Sequence, residues 1–196
     1  HRLSLMERPV EGSLEQLKME KPVIVPRKGV QEIKKMAESH ETLFLGFEEK
    51  QAVLKTDQTL MIIRLMNGDF PDYRSIISSI NRERKLSIER VPFLNSMKRM
   101  NLFTEDRYNA VKFDVQPERL ILSSQSMDIG NAKDELPMHY EGEEIQLGFN
   151  GRYFVDVLQV LDSATVQVYI NSEESPCLIQ AEEEPGFLSV IMPMKL

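Results

Sequence analysis

The chain has little cysteine and little histidine for its 196 residues. Its one thiol, Cys177, cannot form an internal disulfide and cannot supply a zinc site alone, which is typical of reducing compartments. We expect Cys177 to be a small apolar residue of a strand. The histidines His1, His40 and His139 lack metal-ligand spacing. The sequence therefore predicts no metal and no other cofactor.

Long apolar runs are also missing. The longest, such as Leu60–Ile63, are far shorter than the roughly 20 residues that cross a bilayer, and His1–Val10 has no signal-peptide core. With 41% hydrophobic residues and only 9 Gly and 10 Pro, the composition excludes disordered and fibrous classes. We expect one large or two small domains in the cytoplasm, with no membrane partner.

Catalytic motifs are weak. The chain has no Gly-rich phosphate loop and no GxSxG elbow. Acidic pairs such as Glu143–Glu144 and Glu182–Glu184 beside predicted turns are typical of solvated surface, and a hydrolase that uses them is a distant alternative. The sequence predicts a protein that is not an enzyme.

Charge is distributed unevenly. The 24 basic and 31 acidic residues give a net charge of −7, which argues against a general nucleic-acid coat. Yet Arg27–His40 and Val91–Arg107 together carry seven basic and four acidic residues, so the rest of the chain carries −10. These segments predict a basic face on an acidic body.

A unit of one strand, one amphipathic helix and three strands recurs along the chain. The first copy places a strand at Val23–Pro26 and a helix at Arg27–Ser39. Its strands follow at Thr42–Phe47, Ala52–Thr56 and Leu60–Met66.

The second copy begins with a strand at Lys85–Glu89 and a helix at Val91–Phe103, with Pro92 in the first turn, where its missing N–H costs nothing. Val111, Phe113 and Val115 then alternate with polar residues, as in a half-buried strand, and Leu120–Ser124 follows.

The third copy begins with a strand through Ile145, Leu147 and Phe149 and has Asn150 as helix N-cap. Its later strands run through Val166–Ile170, Cys177–Ala181 and Phe187–Met192. Such units should pair into larger domains, since one helix over one open sheet leaves strand edges unpaired. Three units make one and a half domains, so we expect the chain to begin midway through a domain, with a linker at Asn67–Arg84.

Two apolar segments are not explained by packing alone. Gly68–Tyr73 places two aromatic residues and a proline in the expected linker, and the chain ends in the apolar segment Val190–Leu196. One interpretation is ordinary core packing. The other is a groove for a partner peptide, with methionines as adaptable contacts.

Five motifs resemble the beta subunit of bacterial DNA polymerase III, the sliding clamp. They are HRL (His1–Leu3), VIVPRKG (Val23–Gly29), FPDYR (Phe70–Arg74), GFNGRYFVDVL (Gly148–Leu158) and MPMKL (Met192–Leu196). The resemblance covers the whole chain in order. It implies an α+β DNA-clamp fold of repeated βαβββ units, with helices on one side of antiparallel sheets. Residues 1–73 would be the C-terminal half of clamp domain 2, and residues 74–196 would be domain 3.

The resemblance also implies a peptide-binding groove between those domains for the DNA polymerase III alpha subunit, the clamp loader delta subunit and other clamp-motif proteins. Its wall would comprise His1, Arg2, Leu3, Pro71, Ser75, Ile76, Asn150, Tyr153, Pro176, Val190, Met192, Pro193, Met194 and Leu196. Ser75 stands where the family often has a second basic residue, which would weaken a cationic contact.

By the same resemblance, the full-length protein is a head-to-tail homodimeric ring that encircles duplex DNA without reading its sequence and slides along it. Leu102 and Phe103 would belong to the dimer interface. The expected DNA contacts are Arg27, Lys28, Lys34, Lys35, Lys98, Arg99 and Arg152.

The alternative from another class is a β-rich protein-interaction scaffold with no role on DNA. Binding of a clamp-binding peptide motif separates the two readings, because a scaffold has no reason to favour that motif.

Overall fold

The computed structural model describes residues 2–8, 22–104 and 108–195. They fold as two compact units. The larger unit contains the described residues of 1–8 and 73–196, and the smaller unit contains those of 9–72.

The described residues form thirteen strands and four helices. The strands are β1 (Arg2–Met6), β2 (Phe44–Phe47), β3 (Gln51–Lys55), β4 (Leu60–Arg64), β5 (Lys85–Glu89), β6 (Ala110–Gln116), β7 (Arg119–Ser126), β8 (Gly130–Pro137), β9 (His139–Tyr140), β10 (Ile145–Asn150), β11 (Thr165–Tyr169), β12 (Cys177–Gln180) and β13 (Phe187–Ile191). The helices are α1 (Arg27–Ser39), α2 (Tyr73–Ser78), α3 (Arg90–Leu102) and α4 (Gly151–Val160).

The larger unit consists of two βαβββ repeats that exchange their first strands. One sheet has the order β10-β6-β7-β8, and the other has the order β1-β13-β12-β11-β5-β9. β10, from the second repeat, therefore pairs with β6 of the first, and β5, from the first repeat, pairs with β11 of the second. This exchange joins the repeats into one domain, as the edge-strand argument predicts.

The larger unit has a main apolar core and a smaller apolar cluster formed by Ile80, Tyr169, Leu178 and Val190. Both sheets and both long helices contribute to the main core. It contains four buried rings, Phe93, Phe113, Phe149 and Phe154, which form five contacting pairs with centroids 4.9–6.1 Å apart. Such edge-to-face packing adds to the burial of apolar area. Helix α3 packs against α4 and against β5 to β8, so the helices share one core with the sheets.

The smaller unit contains α1 and the sheet β2-β3-β4. Ala52, Leu54 and Ile63 form its core with Met36 of α1. The predicted helix bounds are confirmed, but the strand predicted at Val23–Pro26 is wrong. Ile24 makes only an isolated bridge to Met66.

Four further elements, α2, β1, β8 and β9, differ from the sequence predictions. The expected linker Asn67–Arg84 contains α2 and the buried Ile80. β1 was not predicted as a strand, and it pairs with β13 in the larger unit. β8 was also missed, because it is an edge strand whose exposed residues are mostly polar.

Candidate peptide groove and basic surfaces

The antiparallel pairing of β1 with β13 sets the first part of the candidate groove. Leu3 lies opposite Val190 and Arg2 opposite Ile191. The Ser189 hydroxyl donates a hydrogen bond to the Leu3 carbonyl at 3.1 Å, which fixes this register. Val190 is 5% exposed and packs with Ile80, so it forms floor rather than an open contact.

The segment after β13 crosses to β10. The Met194 N–H donates to the Gly148 carbonyl at 2.7 Å, which places the half-buried Met192, Pro193 and Met194 beside the strand that leads into α4. Pro176 is half-buried and directly precedes Cys177, whose strand partner is Ile191. The structure thus brings Pro176 and the tail to the same end of β13.

Helix α4 begins with a side-chain cap. Asn150 Oδ1 accepts from the Arg152 N–H at 3.1 Å, and Asn150 Nδ2 donates to the Tyr108 carbonyl at 3.2 Å. The predicted N-cap is therefore confirmed. The oxygen and the nitrogen of the Asn150 side-chain amide thus both fix the start of α4, the helix that carries Tyr153.

Arg2 joins the two parts of the candidate groove. Its guanidinium carbon lies 4.8 Å from the centroid of the Tyr153 ring, within the range of a cation–π contact. Its Nη1 donates to the carboxylate of Asp156. The prediction did not include Asp156, although its position three residues after Tyr153 places both on one helix face.

The remaining predicted groove residues lie on or next to α2, or outside the described residues. Ile76 is 40% exposed and Ser75 is exposed, both on α2. Pro71 belongs to the smaller unit, where it is exposed. His1 and Leu196 lie outside the described residues.

An open depression of about 630 Å³ lies within the larger unit. Apolar and charged side chains together line it: Leu5, Glu7, Tyr73, Arg74, Ile77, Ser78, Ile80, Arg82 and Leu188. It shares β1, β13 and α2 with the candidate groove but none of its predicted residues.

The predicted DNA contacts all lie on helices and are exposed. On α1, Lys34 pairs with Glu38 at 3.5 Å and Lys35 with Glu32 at 2.9 Å. Exposed pairs of this kind contribute little and are readily exchanged for other anions. Arg27 and Lys28 make no ion pair within the described residues.

Arg99 of α3 differs from its neighbour Lys98. Its guanidinium donates to the Asp134 carboxylate on β8, which also accepts from the buried hydroxyl of Ser96. Burial raises the pKa of Asp134, but the hydrogen bonds from Ser96, Arg99 and the Glu135 N–H outweigh it and hold that pKa below its usual value. Arg99 is thus tied to the fold, whereas Lys98 makes no ion pair in the described part of the chain.

The two predicted interface residues lie at the C-terminal end of α3, where Leu102 is the last helical residue and Phe103 is the C-cap. Leu102 is 68% exposed and Phe103 is half-buried. Ser124, near the end of β7, donates to the Met100 carbonyl at 3.0 Å, so the β7–β8 turn lies near the same end of the helix.

No group of three or more His, Cys, Asp or Glu among the described residues could hold a metal ion. Cys177 is buried in a strand as predicted, and burial raises the pKa of its thiol. No helix among the same residues is long and apolar enough to span a bilayer.

The exchanged βαβββ repeats, with two helices and two sheets around one core, define a clamp-type α+β domain. Residues 78–195 match the family description "DNA polymerase III beta subunit, C-terminal domain", and residues 1–72 match "DNA polymerase III beta subunit, central domain". The chain therefore belongs to the DNA polymerase III beta subunit family.

Curated relatives agree with this assignment. The chain is 33% identical over 175 residues to the beta sliding clamp of Chlamydia pneumoniae, covering 88% of this chain and 46% of that protein. It is 30% identical over 210 residues to the beta sliding clamp of Rickettsia bellii, covering 100% of this chain and 54% of the relative. The chain thus spans about half the length of these relatives.

Solved structures show the same fold. The DnaN sliding clamp of Bartonella birtlesii bound to griselimycin superposes with a TM-score of 0.87 at 27% identity, covering 100% of this chain and 52% of that one. The Caulobacter crescentus beta sliding clamp, with PEG bound to its putative beta-motif tethering region, gives 0.87 at 29% identity with the same coverage. The predicted family and fold class are confirmed.

Proposed function

We propose that this chain is part of a DNA polymerase processivity factor that encircles duplex DNA and tethers partner proteins through a peptide groove. One observation supports the groove. The larger unit brings together elements that pair with or touch one another and that carry Arg2, Leu3, Asn150, Tyr153 and the Met192–Met194 segment. Family membership supports the same role.

The groove suits a short apolar peptide motif. Half-buried methionine side chains can adapt to aliphatic or aromatic anchors, and Tyr153 and Ile76 add further apolar surface. Partners of this chemistry include the DNA polymerase III alpha subunit, the clamp loader delta subunit and other clamp-motif proteins. We also propose four further groove residues, Pro71, Ser75, His1 and Leu196.

The DNA-binding role is proposed from the helices. The proposed contacts are exposed cations suited to phosphate contact without base readout, namely Arg27, Lys28, Lys34, Lys35, Lys98, Arg99 and Arg152. Arg99 also pairs with Asp134. In the complete ring, a mildly basic lumen inside an acidic exterior would hold DNA by topology rather than by affinity. Leu102 and Phe103 are proposed for the head-to-tail dimer interface.

The remaining parts of the proposal follow from the family. The role is non-catalytic, the compartment is the cytoplasm, and residues 1–73 and 74–196 correspond to the second half of clamp domain 2 and to domain 3. Although residues 1–73 are assigned to domain 2, their first strand, β1, packs in the larger unit by pairing with β13.

The test is a fluorescence-polarisation titration with a labelled Gln-Leu-Ser-Leu-Phe peptide. We expect saturable binding by the wild-type chain and its loss in the Met192→Ala, Met194→Ala double variant. Met127→Ala is the matched control, because Met127 is 92% exposed at the β7–β8 turn and belongs to no predicted site. Equal affinity of the double variant and the wild type would contradict the groove assignment.

A further inference from the structure

Arg2 of β1 is held between two groups of α4. Its guanidinium lies over the Tyr153 ring, and its Nη1 donates to the Asp156 carboxylate. Tyr153 and Asp156 are one helical turn apart, so a single face of α4 supplies both contacts. Strand and helix are thereby joined by one side chain at the edge of the proposed groove.

Most of the N–H donors of the Arg2 guanidinium make no hydrogen bond to the described residues. A guanidinium has five N–H donors in a fixed plane, and only the Nη1 bond to Asp156 engages them among the residues the structure describes. The side chains of Arg2 and Asp156 are 39% and 53% exposed. The unused donors are therefore accessible to an acceptor on a bound molecule.

Stability alone is a weak reason for this arrangement. Ion pairs as exposed as this one contribute little to folding, because solvent screens the charges and two long side chains must be ordered. Ordering Arg2 before a ligand arrives has a clearer benefit. A side chain already fixed in its binding conformation loses less conformational entropy when the complex forms.

We infer that Asp156 is a positioning residue of the peptide groove. It holds the Arg2 guanidinium over the Tyr153 ring, so that the remaining N–H groups donate to a carbonyl or carboxylate oxygen of the bound peptide. This inference rests on the proposed function and adds to it a residue outside the predicted groove set. Asp156 itself does not touch the peptide.

A double-mutant cycle tests the indirect role. Affinity for the labelled Gln-Leu-Ser-Leu-Phe peptide is measured for the wild type, Arg2→Ala, Asp156→Ala and the double variant. Loss of a charge-assisted hydrogen bond weakens binding by about tenfold, so we expect that loss for Arg2→Ala and a smaller one for Asp156→Ala. The double variant should bind like Arg2→Ala, because Asp156 acts only through Arg2.

Two controls exclude a general effect. Asp162→Ala removes another exposed carboxylate just beyond α4 and should leave peptide affinity unchanged. Asp156→Glu should restore most of the affinity lost in Asp156→Ala. Independent losses that add in the double variant, or full affinity in Asp156→Ala, would overturn the positioning role.

A readout without peptide tests the same contact. In the wild type, the Tyr153 ring current should shift the NMR signals of the Arg2 δ protons, and Asp156→Ala should remove that shift. An unchanged shift would contradict positioning. Failure of the wild-type chain to bind the peptide would instead overturn the groove, so the two failures are distinguishable.

Discussion

Arg99 and Asp134 form an ion pair that joins α3 to the edge strand β8. The buried Ser96 hydroxyl, one helical turn before Arg99, donates to the same carboxylate. A charge on the proposed DNA-facing helix is therefore partly neutralised by the fold. Adjacent residues of α3 thus have different roles, with Arg99 supporting the structure and Lys98 open to solvent.

The first prediction concerns stability against pH. Because the pKa of Asp134 is lower in the folded chain than its usual value of 3.8, its contribution is fully present above that value and is lost as the pH falls through the folded pKa. Asp134→Asn should lower the free energy of unfolding by about 1.5–3 kcal/mol at neutral pH, as for other hydrogen bonds to charged groups.

Urea denaturation at several pH values measures this effect. The difference between wild type and Asp134→Asn should shrink as the pH decreases below 3.8. Asp128→Asn, at the exposed β7–β8 turn, is the matched control and should have little effect on the midpoint. A difference that is independent of pH would contradict the assigned role of the ionised carboxylate.

The second prediction concerns DNA. The isolated chain should bind duplex DNA weakly, without sequence preference and with strong salt dependence, because its cations contact phosphates. Lys98→Ala should reduce the slope of log affinity against log salt by about 0.9, the contribution of one phosphate contact. Arg99→Ala should change that slope less, since Asp134 already engages its charge.

Fluorescence anisotropy with labelled duplexes of two unrelated sequences, at several salt concentrations, measures both slopes. Binding that depends on sequence and not on salt would argue against a sliding function. Equal changes of slope in the two variants would show that the ion pair does not withhold Arg99 from DNA.

Local sequence patterns predicted the local structure well. The bounds of α1 and β5 and the N-cap Asn150 are as expected, since helical periodicity, strand alternation and capping are properties of neighbouring residues. β8 was missed because an edge strand needs only one apolar face, and here that face is short. β1 was missed because its partner, β13, is at the other end of the chain.

In the candidate site, too, contacts between elements distant in the sequence were harder to predict than local features. The resemblance named Arg2 and Tyr153 as groove residues, and the structure brings them into contact. It did not name Asp156 or Asp134, whose roles depend on partners in other elements. For Asp156, the spacing from Tyr153 was available as a signal, whereas the long-range pairing of Asp134 with Arg99 left none in the sequence.

The third prediction concerns the start of α4. A Cβ added at Gly151 would lie 2.3 Å from Asn101 Oδ1 and 2.7 Å from Val111 Cγ2. We expect Gly151→Ala to destabilise the chain by about 1–3 kcal/mol, as overpacking does in other cores. Peptide affinity should also decrease, because the displaced helix start carries Tyr153.

Thermal and urea unfolding measure the stability effect. Gly46→Ala is the control, since nothing lies within 4 Å of the position its Cβ would occupy. Equal stability of Gly151→Ala and Gly46→Ala would show that the close approach at α4 relaxes without cost.

The fourth prediction separates binding from folding at the end of the chain. Deletion of Met192–Leu196 should abolish peptide binding, because it removes the methionines that are proposed to contact the peptide anchors. The fold should largely persist, since Ile191 is the last residue of β13 and the larger unit's core is built from residues before it. The deletion removes one described backbone hydrogen bond to the larger unit, from Met194 to Gly148.

Circular dichroism and peptide titration on the same sample distinguish the two effects. A native spectrum with no peptide binding is the expected result. A native spectrum with unchanged affinity would place the binding surface elsewhere on the larger unit, with the depression beside α2 as the next region to mutate. Loss of the native spectrum would show that the tail stabilises β13, and Met192→Ala, Met194→Ala would then carry the test, since alanine keeps the Met194 N–H that donates to Gly148.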